Sequence, residues 1–580
     1  MKKYTYLLAA IMIAAGAMTS CDKNNDNDGS GPDDKPKEVG NEVKFSLGSV
    51  SAEDASRTHY RDGSNVQIDW DTNDNIAIWC DKTTDKDGEP TTNCGYKVTS
   101  VDQDKGTPTT DDPKKLYWGR VTEDHTFYGL FGQDIQMVNS ATGEVKCKYN
   151  RVQPLIYNLD TQTNKKEWSN IDESNPTSMQ QSYMVAYKKT KPVEKLELHF
   201  KPIMTVLDLV IKGMNTTNDS KNQDIYLWEV TVTIPKDQNK LDANGYFHFN
   251  IDENAWPDGK NPGSATTQTA TEDDVYKFQW GTIDAPKPLK LVRGDSVHLS
   301  LHLPPMDINA QNQVKVSIKS AGWGTNNATI PNATSTVSAT PGKRLKIAFT
   351  NFVFREYIDL GLTTGTKWAT YDVGANYKPT DYGKYYVWGR QKNNKVQDVT
   401  YNGTAYYSSE TAKDKTFAQL KQQGWISDAN GTNTLVDARD AARQVMGPGW
   451  HMPTLDEAHE LTGMYVREEG DATPRTATIS LQTFNDRRGL LLISKINENC
   501  IFFPFSGYIK NLYGAEKIKA QQEIASWYHT ANPYDKKADA TPHTPNTYTH
   551  CYGFSVNETP YFRDCWNAHE FGHCVRAVKR

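Results

Sequence analysis

Beyond its first twenty residues the chain has no apolar run long enough to cross a bilayer as a helix, which takes about 20 residues. It also lacks an excess of positive charge. Its 65 Lys and Arg stand against 71 Asp and Glu, a net charge of −6, so no basic face for nucleic acid is implied. Phosphate-cradling glycine loops, dinucleotide fingerprints and nucleophile elbows are absent. The Asp71-Thr72-Asn73-Asp74-Asn75 stretch alternates oxygen-bearing residues but lacks the glycine and glutamate of an EF-hand, so it reads as a solvated turn. Cysteine is sparse, eight in 580 residues. What remains is aromatic residues (11%, with 30 Tyr and 14 Trp), set largely in alternating or turn-rich sequence. That balance favours β-structure with aromatic-bearing surfaces.

The N-terminus is informative. Lys2 and Lys3 precede an apolar run from Leu7 to Met18, the length of a signal-peptide core and too short to span a membrane. The run ends in Met18-Thr19-Ser20-Cys21, which resembles a lipobox, the signal at which bacterial lipoproteins are cleaved and lipidated on cysteine. The resemblance implies a signal peptide over 1–20, lipidation of Cys21, and a mature protein anchored to a membrane without spanning it. From Asp22 to Pro36 there is no apolar residue to bury, so 21–42 is expected to be a tether. Its acidic start resembles the tract that sends Bacteroidetes lipoproteins to the outer leaflet, which implies a surface-exposed lipoprotein of the cell outer membrane.

Setting Cys21 aside leaves an odd seven cysteines, so at least one is unpaired within the chain. Export permits disulfides. Cys80 and Cys94 bracket a polar loop and are candidates for one bridge, while Cys147 has no obvious mate. Cys500, Cys551, Cys565 and Cys574 crowd the C-terminal region, and buried free thiols are the alternative for all of them.

From Val43 to about Phe354 the pattern is short strands of period two, broken by Asn, Asp, Gly and Pro. Val43–Leu47, Val66–Trp70, Asn75–Trp79, Thr205–Ile211, Trp228–Ile234, Val297–Leu301 and Val314–Ile318 each carry it, and no helix is expected among them. Such punctuation points to β-sandwiches. Ser56-Arg57-Thr58, Asp74-Asn75-Ile76-Ala77-Ile78-Trp79, Leu198-His199-Phe200-Lys201-Pro202, His302-Leu303-Pro304-Pro305 and Pro341-Gly342-Lys343-Arg344 follow in order. In that order and spacing they resemble the fimbrillin family of Bacteroidales pilus proteins. The resemblance implies two tandem transthyretin-like β-sandwich domains, placed here at 43–192 and 193–354. It further implies assembly with other fimbrial subunits by strand addition, after proteolysis at a basic residue. Arg57 and Arg61 are the candidates, and cleavage there would free Val43–Leu47; the alternative is that they are ordinary loop or strand arginines.

The texture changes after Phe354. Asp437 to Val445 reads as a short helix, and Thr454 with Glu457 three residues on forms a capping box that opens a second one. Tyr357-Ile358-Asp359-Leu360-Gly361-Leu362, Val387-Trp388-Gly389, Gly449-Trp450-His451-Met452-Pro453-Thr454 and Phe503-Pro504-Phe505-Ser506-Gly507 accompany them. This block closely resembles the Fibrobacter succinogenes major paralogous domain of Bacteroidetes surface lipoproteins. It implies a C-type-lectin-like α+β domain over 355–580. Tyr386, Trp388, Trp450, Trp527 and Trp566 are the candidate ligand contacts, because aromatic faces stack on sugars and anchor interfaces; core packing is the competing role for each. The calcium-and-sugar tripeptides of true lectins are missing.

One motif points elsewhere. His569-Glu570-Phe571-Gly572-His573 spells H-E-x-x-H, which on a helix places two zinc-binding histidines on one face with a glutamate to activate water. Its neighbours carry no helical pattern, and the family resemblance makes the segment a closing hairpin. We therefore expect no catalytic residues, no metal at His569 and His573, no cofactor and no enzyme activity. The chain reads as a mainly β surface protein of the fimbrium. Its expected role is a pilus-tip adhesin whose partners are fimbrial subunits, a host or bacterial surface glycan or protein, and the outer membrane through the precursor's lipid. The alternatives are a stand-alone surface lipoprotein and, remotely, a zinc-dependent hydrolase using His569, Glu570 and His573.

Overall fold

The computed structural model describes residues 40–48, 70, 72–102, 105–132, 134–148, 167–169, 183–213, 224–237, 240–255, 262–266, 272–330, 337–349, 355–376, 378–392, 394–399, 415–428, 433–465, 475–510, 518–520, 522–534, 550–557, 561–568 and 571–580. Cys21, Arg57, Arg61, His569 and Glu570 lie outside them, as do the side chains of Cys551, Cys565 and Trp566. The described chain is mainly β.

The first unit is one eight-stranded sheet. Its spatial order is Leu196–Leu198, Phe45–Leu47, Lys105–Thr109, Asn93–Asp102, Asn75–Cys80, His125–Phe131, Met184–Thr190 and Lys201–Pro202. The sheet thus takes strands from both sides of position 192. In Asn75–Cys80 the period-two pattern turns Ile76, Ile78 and Cys80 inward. They join Phe45, Leu47, Val98, Phe127 and Leu198 in one core. Trp70 pins that core: its ring meets Phe131 and Phe200 edge-on at 5.6 and 5.0 Å, and its indole N–H donates to Gly48 O at 3.2 Å. Gly129 is required by the same packing, since a Cβ there would lie 2.5 Å from Phe200 Cζ. Gly129→Ala is expected to destabilise this unit by about 1–3 kcal/mol through overpacking, read as a lower urea midpoint with unchanged slope.

The expected bridge between Cys80 and Cys94 is not formed; both thiols are buried and free. Register explains it. Cys94 lies opposite Ile78, whereas the Cys80 amide donates to Thr92 O, so the two cysteines are diagonal neighbours. Diagonal Cβ atoms are about 7–8 Å apart, against roughly 4 Å in a disulfide. Burial instead pushes the Cys80 thiol up to about 12 and raises that of Cys94, which makes both inert.

In the second unit Thr205–Lys212 pairs along its full length with Ser296–Leu303, and in parallel with Arg344–Phe349. Facing it, Ile225–Ile234 lies between Asp274–Gln279 and Val314–Ser320. Leu207, Leu209, Leu227, Val230, Leu299 and Val316 from these strands meet in one core. The other face of Thr205–Lys212 is buried too: Val206 enters the core of the first unit, and Asp208 accepts from Arg344 Nη2 at 2.8 Å and Ser300 Oγ at 3.1 Å. A hairpin reaches across from the earlier sequence. Ile135–Asn139 and Glu144–Lys148 pair with each other, and Glu144–Lys148 pairs with Tyr246–Ile251. His248 fastens that contact, with Nδ1 3.2 Å from Glu144 Oε1 and Nε2 3.1 Å from Asp242 Oδ2.

Among the described residues the third unit, from Arg355 onward, is built from short sheets and three α-helices. The strand Val578–Lys579 pairs with Lys367–Ala369, which pairs with Tyr357–Asp359, so the two ends of the unit close on each other. Helix α1 (Phe417–Gln422) starts at a capping box of Thr416 and Gln419, α2 (Ala441–Met446) at an Asp440 cap, and α3 (Leu455–Gly463) at the capping box of Thr454 and Glu457. At the centre Arg576 and Asp372 form a fully buried ion pair, Nε to Oδ1 2.7 Å.

The strand Arg487–Ser494 joins the units. It pairs with Ala477–Phe484 and Cys500–Pro504, and both of its faces are buried. Leu490 and Leu492 point into the third unit's own core, while Leu491 and Ile493 pack with Phe502, Tyr226 and Trp228 against the second unit. This two-sided burial is why Gly489-Leu490-Leu491-Leu492-Ile493 is an unbroken apolar run. Polar contacts lock the seam. The buried Glu229 carboxylate holds Lys277 at 3.1 Å and Lys319 at 2.8 Å, and both lysines also meet Glu498 of the third unit.

Candidate assembly and binding sites

Phe45–Leu47 is the structural counterpart of the strand expected to be releasable. Three residues long, it is flanked on both sides: parallel to Leu196–Leu198, with Phe45 opposite Leu196 and Leu47 opposite Leu198, and antiparallel to Lys105–Thr109 through Leu47 and Gly106. Backbone bonds continue past its ends, from Leu196 N to Lys44 O at 2.8 Å and from Gly48 N to Leu198 O at 2.9 Å. Val43, Phe45 and Leu47 all point into the core. Phe45 lies edge-on to Tyr96 and Phe127 at 5.0 and 5.9 Å. Three such side chains represent burial on the order of 5–8 kcal/mol, at about 1.5–3 kcal/mol each. The strand is therefore held chiefly by side chains, and its short ladder adds comparatively little.

The candidate ligand aromatics divide differently from the expectation. Tyr386, Trp388 and Trp450 are buried, so as placed they are core and not contact surface. Trp388 Nε1 donates to Thr530 O at 3.0 Å, and the Tyr386 carbonyl accepts from His529 Nε2 at 3.1 Å. Trp450 packs with Trp388, Trp425 and Val575, and Lys579 Nζ lies 4.9 Å from its ring centroid. Trp527 is half-buried, with its ring 4.9 Å from that of Tyr508. Trp566 falls in the strand Tyr561–Ala568. The reason is geometric: a unit with so many short strands closes its core with large side chains, and the apolar neighbours of Trp388 and Trp450 surround them.

The H-E-x-x-H segment follows a strand that ends at Ala568, and its last residue lies in the strand Gly572–His573, paired with Tyr386 and Val387. His573 therefore lacks the helical setting that the zinc motif needs. It is buried, neither ring nitrogen has a hydrogen-bond partner, and its ring stacks on Tyr508 at 5.7 Å and meets His529 edge-on at 4.6 Å. Burial pushes His573 well below its usual range, with the His529 charge adding to it, and burial takes His529 down to about 4. Both rings are thus neutral at pH 7. Among the described residues no group of three or more His, Cys, Asp or Glu side chains is placed to hold a metal ion.

Two features were not anticipated from sequence. Helix α1 carried its signal in Thr416 and Gln419. The buried pair of Asp372 and Arg576 carried none, because its partners are 204 positions apart.

No protein-family model matches the chain, and no curated protein matches it. Among solved structures, a candidate cell adhesion protein from Bacteroides uniformis is 14% identical, with 55% of this chain and 95% of that one covered at a TM-score of 0.31. A candidate cell adhesion protein from Bacteroides ovatus gives 13% identity, 55% and 95% coverage and a TM-score of 0.29. A fimbrial assembly protein from Parabacteroides distasonis gives 11% identity, 53% and 91% coverage and a TM-score of 0.24. Superpositions this loose do not define a shared function.

Proposed function

We propose that the chain is an exported cell-surface subunit of a fimbrium that works by binding and not by catalysis. In this reading the first two units are transthyretin-like sandwiches and 355–580 is a C-type-lectin-like unit presented for ligand binding. Cys21 carries the lipid that anchors the precursor in the outer membrane. Cleavage after Arg57 or Arg61 detaches the first strand, and a strand from a neighbouring subunit takes its position.

The observation that supports this reading most is the seating of Phe45–Leu47 between two other strands with an apolar inward face. Its removal opens a slot whose two rims, Lys105–Thr109 and Leu196–Leu198, carry free backbone donors and acceptors. An incoming strand with alternating apolar side chains fills such a slot by β-augmentation. Left empty, it is an aggregation-prone edge. The 355–580 unit follows the second sandwich where a shaft subunit would offer its own donor strand, which suits a subunit at the filament tip.

N-terminal sequencing of protein sheared from producing cells is expected to begin at Thr58 or Asp62. Immunogold labelling with antibody against 355–580 is expected to mark filament ends. A mature N-terminus at Cys21, with gold spread over the membrane and no filaments, would sink the assembly reading and leave an anchored binding protein.

A further inference from the structure

We propose that the seam between the second and third units holds a binding site for a short, uncharged saccharide. The inference deepens the surface-binding reading above and rests on it. A cleft of about 370 Å³, open to solvent, lies where the 286–290 segment and Tyr226 of the second unit meet the 482–486 hairpin turn of the third. That volume is near the lower end for small-molecule sites, roughly 300–1,000 Å³, and suits a short ligand better than a polymer.

The walls are fixed before any ligand arrives. Gln482 Nε2 donates to Pro286 O at 3.2 Å, tying one side to the other. The Tyr226 hydroxyl donates to Asn485 Oδ1 at 3.0 Å and accepts from Asn485 N at 2.6 Å. Beneath them the Tyr226 and Phe484 rings sit 4.2 Å apart, and nearby Thr478 Oγ1 donates to Ile283 O at 2.8 Å. These contacts preorganise the frame of the pocket, while the exposed side chains that would meet a ligand order only on binding.

The chemistry of the lining selects the ligand class. Lys287, Thr483 and Asp486 line the cleft, and their side chains have no intramolecular partner among the described residues. They offer a cation, a hydroxyl and a carboxylate to an incoming group. Lys290 is neutralised by Asp224 at 2.9 Å, so Lys287 and Asp486 leave the lining close to neutral. An anionic ligand would meet the Asp486 carboxylate, and a cationic one would meet Lys287. The half-buried ring of Pro288 supplies a small apolar patch beside the buried Pro286, too little for a lipid or a large aromatic ligand. Donors and acceptors alternating around a small apolar surface match the hydroxyls and C–H faces of a sugar ring. The site is composite, because each unit contributes one wall.

The test is saturation-transfer NMR and calorimetric titration of the full mature chain with glucose, galactose, mannose, fucose, N-acetylglucosamine and lactose. At least one is expected to bind. Lys287→Ala, Thr483→Val and Asp486→Asn, all at exposed positions, are each expected to weaken it by about ten-fold, the usual effect of losing a hydrogen bond to a charged or polar group. Unchanged thermal unfolding of these variants separates lost contacts from lost fold. Binding of none of the six at 20 mM overturns the proposal, and so does binding that survives in the triple variant. Neither result bears on filament location, which the immunogold experiment reads independently.

Discussion

Arg576→Met is expected to destabilise the 355–580 unit by about 3–5 kcal/mol. Arg576 is fully buried, and its Nε donates to Asp372 Oδ1 at 2.7 Å. Its Nη1 donates to the carbonyls of Ala369 and Thr370, each at 3.3 Å, and the guanidinium lies 4.7 Å from the centre of the Phe503 ring. Methionine fills much of the same volume but strands the Asp372 carboxylate in a fully buried site. The unpaired charge, more than the lost bonds, carries the penalty. Adding Asp372→Asn to the variant removes that charge and is expected to recover part of the loss, a coupling that distant sites do not show. Urea unfolding followed by tryptophan fluorescence measures both variants. A single variant within 1 kcal/mol of the parent would show that the pair is dispensable.

The second large effect is on pH. His302 and His529 are fully buried and burial holds each near 4, while burial and the His529 charge hold His573 well below its usual range. The unfolded chain titrates these rings near 6.5. Between that value and the folded ones the unfolded state binds more protons, so stability is complete above about pH 6.5 and falls as the medium is acidified. His302 and His529 each contribute up to about 3 kcal/mol over the full window, and His573 acts in the same direction. Around His573 the facing groups are the rings of His529, Tyr508 and Phe571, none of them a carboxylate that would favour a protonated ring. Depressed carboxylates such as Glu457, held near 2 against desolvation chiefly by the His451 hydrogen bond, begin to lose their contribution only below about 4.5. Between pH 6.5 and 4.5 His529 is expected to remove about 2 kcal/mol from the third unit, with His573 acting in the same direction and the burial-raised carboxyls of Asp372 and Asp440 acting against them. His573→Phe, which sacrifices no hydrogen bond, is expected to flatten the slope and to stabilise at pH 5. Urea midpoints that stay level from pH 6.5 to 4.5 would rule this account out.

The strands were legible because burial on one face imposes period two. Asn75–Cys80 and Val314–Ser320 alternate in sequence as they do in the structure. Helix α3 was legible because Thr454 and Glu457 satisfy local donors, a requirement that involves no distant partner. Pairing was not legible. Nothing in Glu144–Lys148 names Tyr246–Ile251 as its neighbour, and the register that separates Cys80 from Cys94 is set by the whole ladder. Tyr386, Trp388 and Trp450 lie in the core for a related reason, since an aromatic residue is as suitable for a core as for a ligand. Only their neighbours decide. His573 matched a motif by letters, while the strand around it removed the helical geometry that gives those letters their chemistry.

The hairpin of Ile135–Asn139 and Glu144–Lys148 bears on how the molecule carries load. It leaves the sequence of the first unit and adds to a sheet of the second, five residues in register with Tyr246–Ile251. A pull that tries to part the two units is then shared among the covalent connection after Pro202, this five-pair ladder and the pairing of Glu167–Ser169 with Ser296–His298. Bonds loaded in shear must fail together, whereas bonds peeled from one end fail in turn. The first two units therefore transmit tension through several ties at once, and do not part at the covalent connection alone.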